Sequence, residues 1–285
     1  MTTKFVFPTT QHQHLVDEVL NIAIEAGRAV LEVYHGAEWD VQLKEDKSPV
    51  TRADYISHKV IESGLRALGT VPVLSEESEM PEWSIRRQWF EYWLIDPLDG
   101  TREFIRRNGE FTVNIALVQD GNPVLGVVYA PVQDLIFWGT RNFGAFCRRG
   151  ARGQSQQINS LSRSSNKILR IAASHSHKFS PDFSDFLARL PEYEMIFIGS
   201  SLKMCMVADG SVDLYPRIGP TSEWDTAAAQ AVVEAAGGHV LDWRTLNPLS
   251  YNQKESLLNT SFVVCSESSY ALVRSVFCSD FGQKK

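Results

Sequence analysis

The sequence predicts a mixed α/β chain in two unlike halves, an antiparallel sheet carrying helices and then an alternating α/β segment. Three observations carry that expectation. Apolar residues recur at helical spacing ahead of the first strand (Leu15, Val19, Ile22, Ala26, Val30 and Val33, then a second periodic run from Ala53 to Leu68). Short runs of strand-forming residues separated by tight turns fill the stretch from 71 to 148. Beyond it, strand and helix signals alternate to the C-terminus.

Taken in order, VPVL (71–74) leads into Ser-Glu-Glu-Ser, and WLI (93–95) leads into Asp-Pro-Leu-Asp-Gly. FTVNIALVQ and VLGVVYAP flank Asp-Gly-Asn-Pro and read as a hairpin, with further strands near 134–139 and 143–148. Residues 151–167 turn polar and serine-rich, which places a boundary there and gives expected domains of 1–163 and 164–285. The second half then reads ILRIAAS as a strand, a helix near 181–190, YEMIFIG as a strand and a helix from about 200. VDLYPRI, a helix from about 224, GHVLDW, FVVCS and a closing helix complete it.

Composition bounds the function. A chain of 285 residues with 44% hydrophobic content can bury a large core. Its 28 Lys and Arg against 34 Asp and Glu give a net charge of −6, which argues against nucleic-acid binding through a basic surface. A small anionic substrate stays open, because a metal held by carboxylates reverses the local sign. The four cysteines (Cys147, Cys205, Cys265, Cys278) form no C-x-x-C pair, so free thiols in a reducing compartment are expected. No signal-type N-terminus and no apolar run of about eighteen residues is visible, so a cytoplasmic protein without an integral membrane segment is expected.

The chemistry concentrates in WLIDPLDGTREF (93–104), where two aspartates three positions apart leave a buried strand on a corner stiffened by Pro97 and opened by Gly100. Carboxylates this close share a proton, meet cations or bind a metal. An Asx-type turn explains the motif about as well on its own. Further acids shift the balance: Glu76 and Glu77 follow VPVLS, Asp54 opens the second helix in SPVTRAD, and Asp225 opens another in EWDTAAAQAVVEAAGG. Asp54 and Asp225 are also explained as helix-start carboxylates, and a Glu pair as solvated surface. Together, though, acids at element ends fit a hard divalent ion that takes oxygen ligands.

LSEES, DPLDGTREF and WDTAAAQAVVEAAGG resemble the three metal-site motifs of the inositol monophosphatase superfamily, the Mg²⁺-dependent, lithium-sensitive phosphomonoesterases. Within it, KEDKSPVTRAD, DGTREFIRRNGEFTVNIALV and GSSLKMCMVADGSVDLYPRIGPTSEWDTAAA are similar to the CysQ-type 3′(2′),5′-bisphosphate nucleotidase branch. The resemblance implies a sugar-phosphatase-like, layered αβαβα sandwich. It also implies hydrolysis of adenosine 3′,5′-bisphosphate to AMP and phosphate, a reaction linked to sulfate assimilation, with the 5′-phosphosulfate analogue as a second substrate. Inositol phosphates or other sugar phosphates are the alternative substrates, and a catalytically silent metal-dependent nucleotide-binding protein is the alternative from another class.

By the same resemblance, two or three Mg²⁺ ions are held by Glu76, Asp96, the Leu98 carbonyl, Asp99 and Asp225. Asp54 and Thr101 activate a water, with Glu77 beside them. Gly100 and Thr101 with Arg102 open a helix whose N–H groups meet phosphate. Ser174, His175, Ser201, Lys203 and Arg217 contact sugar, base or second phosphate, although from the residues alone a solvated helix or strand face is the better explanation of Lys203 and Arg217. Tyr215 and Trp224 suit either adenine stacking or core packing. Lys44 reads as a surface lysine near the site. Monomer and homodimer are both compatible, as is a peripheral association with the inner membrane. Asp-x-Asp-Gly-Thr phosphatases of the haloacid dehalogenase type, which use the first aspartate as nucleophile, are excluded because the position two before Asp99 is Pro97.

Overall fold

The computed structural model describes residues 9–36, 39–44, 49–150, 153–161, 168–175 and 180–281. The expected domain boundary at 163/164 lies outside the described residues, as do residues 45–48 of the KEDKSPV stretch and Ser176 and His177.

Five layers stack in the order helix, sheet, helix, sheet, helix. The outer pair is α1 (Thr9–His35) and α2 (Arg52–Leu68), joined by a two-stranded ribbon of β1 (Gln42–Leu43) and β2 (Pro49–Val50). Val19, Ala23, Ala26 and Ile61 from these helices pack on Trp93, Ile95, Val113, Ile115 and Val127. Those residues belong to one face of a seven-stranded sheet in sequence order: β3 (Val73–Ser75), β4 (Glu91–Asp99), β5 (Thr112–Gln119), β6 (Asn122–Ala130), β7 (Leu135–Thr140), β8 (Gly144–Arg149) and β9 (Gln156–Ile158). The alternating residues Tyr92, Leu94, Ala116 and Val128 face the other way, as period-two strands require, and meet the central helices α6 (Leu202–Ala208) and α7 (Glu223–Ala235).

The second sheet runs β11 (Tyr193–Phe197), β10 (Leu169–Ala173), β12 (Leu214–Arg217), β14 (Phe262–Cys265), β13 (His239–Asp242). Tyr215, Val240, Phe262 and Val264 face the central helices, while Ile171, Leu214 and Val263 pack on α5 (Pro181–Ala188) and α8 (Tyr270–Phe281). One hydrophobic cluster therefore joins both sheets through α7. Two glycines permit the close fit: a Cβ on Gly126 would sit 2.1 Å from the Ala228 carbonyl oxygen, and one on Gly139 would sit 2.7 Å from the Val232 Cα. Ala229 is fully buried in the same contact.

Two sequence expectations change, and two details are added to the reading. A small ribbon separates the first two helices, so they do not run directly into the first strand of the sheet. The first sheet is not wholly antiparallel, because β3 runs parallel to β4. The second is mixed, with β11, β10 and β12 parallel and β12, β14 and β13 antiparallel. The polar stretch taken as a boundary contains β9, which pairs with β8 at the sheet edge; an edge strand half in solvent needs little apolar signal. The short helices α3 (Trp83–Arg86) and α4 (Thr101–Arg106) complete the part that frames the site.

Candidate active site

The aspartate corner is a bulge. Asp96 pairs with Asn114 and Asp99 with Thr112, so one extra residue sits in β4 beside Pro97, which has no N–H to donate. Asp96 Oδ1 accepts from the Leu98 N–H at 3.0 Å, which is the Asx-type contact that the sequence allowed. The contact occupies one oxygen and leaves the other. Ser57 of α2 donates to the Pro97 carbonyl at 2.7 Å and pins the corner to the outer helix layer.

Carboxylate oxygens of Glu76, Asp96 and Asp225 lie within 4.8 Å of one another. Glu76 arrives because β3 runs parallel to β4, bringing both strand ends to one edge. Asp225 arrives on the first turn of α7. Asp96 is only 1% exposed. Burial, then the charges of Glu76, Asp99 and Asp225, hold its carboxyl well above the ordinary range. Burial and the Asp99 and Glu76 charges do the same to Asp225. A compact, all-oxygen, mutually repelling donor set suits a hard cation. Lys44 supplies positive charge nearby, donating to Glu76 Oε1 at 2.7 Å and Glu77 Oε1 at 2.6 Å. Burial opposes its charge, but the two glutamates outweigh burial and raise its pKa. Burial raises Glu77 to about 7 despite that lysine. Lys44 is therefore a partner of the acid cluster, which its place in a polar stretch did not reveal.

Asp54 and Thr101 form a second pair at the same edge. Asp54 is 2% exposed, and its Oδ2 accepts from the Thr51 N–H at 2.8 Å and the Thr51 hydroxyl at 2.7 Å. Its Oδ1 receives the Thr101 hydroxyl at 3.2 Å. Burial pushes the Asp54 carboxyl up against the pull of the Thr51 donors. Thr101 begins α4 after Gly100, whose φ of 95° is a conformation that favours glycine. The Leu98 carbonyl lies 3.4 Å from the Thr101 hydroxyl.

A cleft opens beside Asp99 and Asp225, lined among others by Ser174, Ser200, Ser201, Lys203, Tyr215 and Arg217. The Ser201 N–H donates to Asp99 Oδ2 at 2.6 Å, and its hydroxyl is held by Asn114 and Thr112. Burial raises Asp99 to about 6, with Lys203 and the Ser201 N–H pulling it down. Lys203 is 5% exposed, so it is no solvated surface lysine. Its ammonium donates to the Ser200 carbonyl at 2.6 Å and lies 5.5 Å from the Tyr215 ring centre. Burial lowers it to about 8, and Asp99 limits the fall. Arg217 donates to the Pro220 carbonyl at 3.0 Å while its Nε has no partner. The Ser200 hydroxyl is also buried without a partner, on a backbone with φ 46°. Sequence reasoning passed over Ser200; the Gly-Ser-Ser run ahead of α6 was the available signal. His175 is bonded to Glu110 at 2.8 Å and stacked on Phe197. Tyr215 is both core and cleft wall, and Trp224 packs on the core.

The family model for the inositol monophosphatase family matches residues 12–276. The 3′(2′),5′-bisphosphate nucleotidase CysQ of Escherichia coli K12 is 48% identical over 252 residues, covering 88% of this chain and 99% of that protein. The Haemophilus influenzae protein of the same name is 38% identical over 273 residues, covering 94% and 98%. Among solved structures, CysQ from Bacteroides thetaiotaomicron, described as a bacterial member of the inositol monophosphatase family, superposes with a TM-score of 0.79 at 38% identity, covering 90% of this chain and 98% of that one. The Thermotoga maritima IMPase, at 22% identity and a TM-score of 0.74, shares the fold. No helix among the described residues is long and apolar enough to cross a membrane. With a family model across nearly its whole length and relatives this similar end to end, the chain belongs to the inositol monophosphatase family.

Proposed function

We propose that this chain is a Mg²⁺-dependent phosphomonoesterase of the cytoplasm that hydrolyses adenosine 3′,5′-bisphosphate to AMP and phosphate. The observation that carries the reading is the juxtaposition of the oxygen cluster of Glu76, Asp96 and Asp225 with a cleft that Lys203 and Arg217 also line. Curated relatives at 46–48% identity bear the nucleotidase name.

Glu76, Asp96, Asp99, Asp225 and the Leu98 carbonyl would hold two or three Mg²⁺ ions. Bound there, such ions would supply charge neutralisation at the phosphoryl oxygens and a lowered pKa for a water. The protein's own groups orient that water. With its proton donated to Asp54, the Thr101 oxygen offers lone pairs to a water hydrogen, so a proton can pass from water through Thr101 to Asp54. A raised Asp54 pKa makes the carboxylate a better acceptor. The N–H groups of the Gly100–Arg102 turn receive the reacting phosphate. Arg217, Lys203 and Ser201 with Ser174 take the ribose and the retained 5′-phosphate, and His175 reaches the nucleotide only after releasing Glu110. In this scheme residues 1–163 form the metal-binding domain and 164–285 add Asp225 and the nucleotide contacts.

Phosphate release across a panel tests this: adenosine 3′,5′-bisphosphate, its 5′-phosphosulfate analogue, inositol 1-phosphate and fructose 1,6-bisphosphate. The bisphosphate should lead in kcat/KM. Arg217→Ala should cost it about one to two orders of magnitude, the worth of a charge-assisted hydrogen bond, and cost inositol 1-phosphate much less. Lys203→Ala should hurt both, because Lys203 also stands beside Asp99. A wild-type chain that prefers inositol 1-phosphate contradicts the nucleotidase reading.

A further inference from the structure

Glu76 and Asp96 stand on the first sheet, but Asp225 comes to them on a helix that follows β12 of the second. The first turn of that helix must be fixed against β4 if the three are to hold one ion. Residues 250–259 run between the two. At one end the Tyr251 N–H and the Ser250 hydroxyl donate to the Gly121 carbonyl, at 2.9 and 3.1 Å, in the β5–β6 turn. Along the start of α7, the Asn252 N–H donates to Glu223 Oε2 at 2.8 Å, and the Glu223 N–H donates to the Leu257 carbonyl at 2.8 Å. Asn259 donates to the Ser222 carbonyl at 2.8 Å and to Thr226 Oγ1 at 3.0 Å.

Arg86 of α3 ties this segment to the first sheet a second time. Its guanidinium donates to Asn252 Oδ1 at 2.5 Å and to the carbonyl of Glu255, while Asn252 Nδ2 donates back to the Arg86 carbonyl at 2.6 Å. Arg86 and Glu223 are each 2% exposed. Buried charges of this kind add little stability over apolar packing of the same shape, so their value lies in fixing a geometry. Glu223 is two residues from Asp225.

We infer that Glu223 is a positioning residue, which through Asn252 and Arg86 locks the first turn of α7 to the first sheet and thereby sets the spacing of Asp225 from Glu76 and Asp96. The inference rests on reading those three acids as metal ligands. It makes the 250–259 segment part of the metal site without contributing a ligand.

The test is binding of Mn²⁺, followed by the electron paramagnetic resonance of the free ion, to the full chain and to Glu223→Ala, Glu223→Gln and Asn252→Ala. Glu223→Ala should weaken Mn²⁺ binding by about tenfold or more, the usual effect of removing a group that orients a ligand. Glu223→Gln keeps an oxygen for the Asn252 N–H and should stay near wild type. Asn252→Ala removes both side-chain bonds between Asn252 and Arg86 while leaving Glu223, its bond from the residue-252 N–H and the Arg86 bond to the Glu255 carbonyl in place, and should weaken binding in the same direction even if Glu223→Ala does not fold. Variants that melt lower but bind Mn²⁺ as wild type does would show a purely structural role and overturn the inference. A Gln variant as impaired as the Ala variant would overturn it too, by showing that charge and not position matters. A wild-type chain that holds no Mn²⁺ removes the metal reading itself, whereas wild-type binding with unchanged variants removes the positioning inference alone.

Discussion

The starts of α2 and α7 are built alike and meet different neighbours. Each has an aspartate at the third helical position whose Oδ2 accepts from the N–H of the capping residue, Thr51 at 2.8 Å for Asp54 and Ser222 at 2.9 Å for Asp225. The cap satisfies an orphan helix donor and spends one carboxylate oxygen, which orients the other. Tertiary structure then decides what that oxygen meets. At α2 the other oxygen meets the Thr101 hydroxyl; at α7 the carboxylate stands in the company of Glu76 and Asp96. A helix-start carboxylate and a candidate site carboxylate are therefore the same residue seen at two scales, and the local reading never excluded the larger one.

The largest effects should separate the two sides. Asp96→Asn, on the Asp225 side, should abolish most phosphate release while the metal-free chain melts no lower than wild type, since a buried repelling charge is gone. Thr101→Ala, on the Asp54 side, should lower kcat by about 10²–10⁴ with metal binding and apparent substrate affinity little changed, as expected for a group used in the transition state. Calorimetric titration of metal alongside the kinetics checks both. Loss of metal binding in Thr101→Ala would erase the distinction.

A pH series gives a smaller effect with a definite sign. Asp96 and Asp225 are held well above the ordinary range, Asp99 near about 6 and Glu77 near about 7, all chiefly by burial. Unfolded carboxyls titrate near about 4, so between there and the folded values the folded chain binds more protons than the unfolded one. Stability of the metal-free protein should accordingly fall as pH rises from about 4 through 7. Thermal melts in chelator at several pH values should show that slope, and Asp225→Asn should flatten it more than Asp54→Asn does. Melting points that rise over the same interval would contradict the raised carboxyls.

The smallest effect concerns the cap itself. Thr51 Oγ1 accepts from the Ala53 N–H at 3.1 Å and donates to Asp54, so Thr51→Ala should cost about 1 kcal/mol in denaturant unfolding. Because it also frees Asp54 to turn, kcat should fall with it. An unchanged kcat would mean that the residue-51 N–H and Thr101 hold Asp54 in place without the Thr51 hydroxyl.

Much of this was legible in the chain because it is local. Helical spacing gave α1 and α2, turn chemistry gave the β5–β6 hairpin at Asp120 and Gly121, and the strand-end acids announced themselves by type and position. What was not legible is set by pairing over long distances. The parallel step from β3 to β4 that carries Glu76 to Asp96 has no sequence signature, and neither does β9, whose three residues join the sheet only because β8 offers an edge. Lys203 looks like any helix-face lysine until the fold buries it against the Ser200 carbonyl and the Tyr215 ring, and Arg86 like any surface arginine until residues 252–255 close over it. His175 lies in a stretch suited to the nucleotide, yet Glu110, sixty-five positions away, claims it.

The Mg²⁺ dependence of phosphate release from adenosine 3′,5′-bisphosphate, measured on Asp54→Asn and Asp225→Asn side by side, bears most directly on the division of labour between the two helix starts. Asp54→Asn should show a much lower ceiling reached at the same Mg²⁺ concentration as wild type, and Asp225→Asn should need far more Mg²⁺ to approach whatever rate remains. Equal shifts of the Mg²⁺ midpoint in both variants would contradict the account, because Asp54 would then be acting as a metal ligand and not as the acceptor of a water's proton.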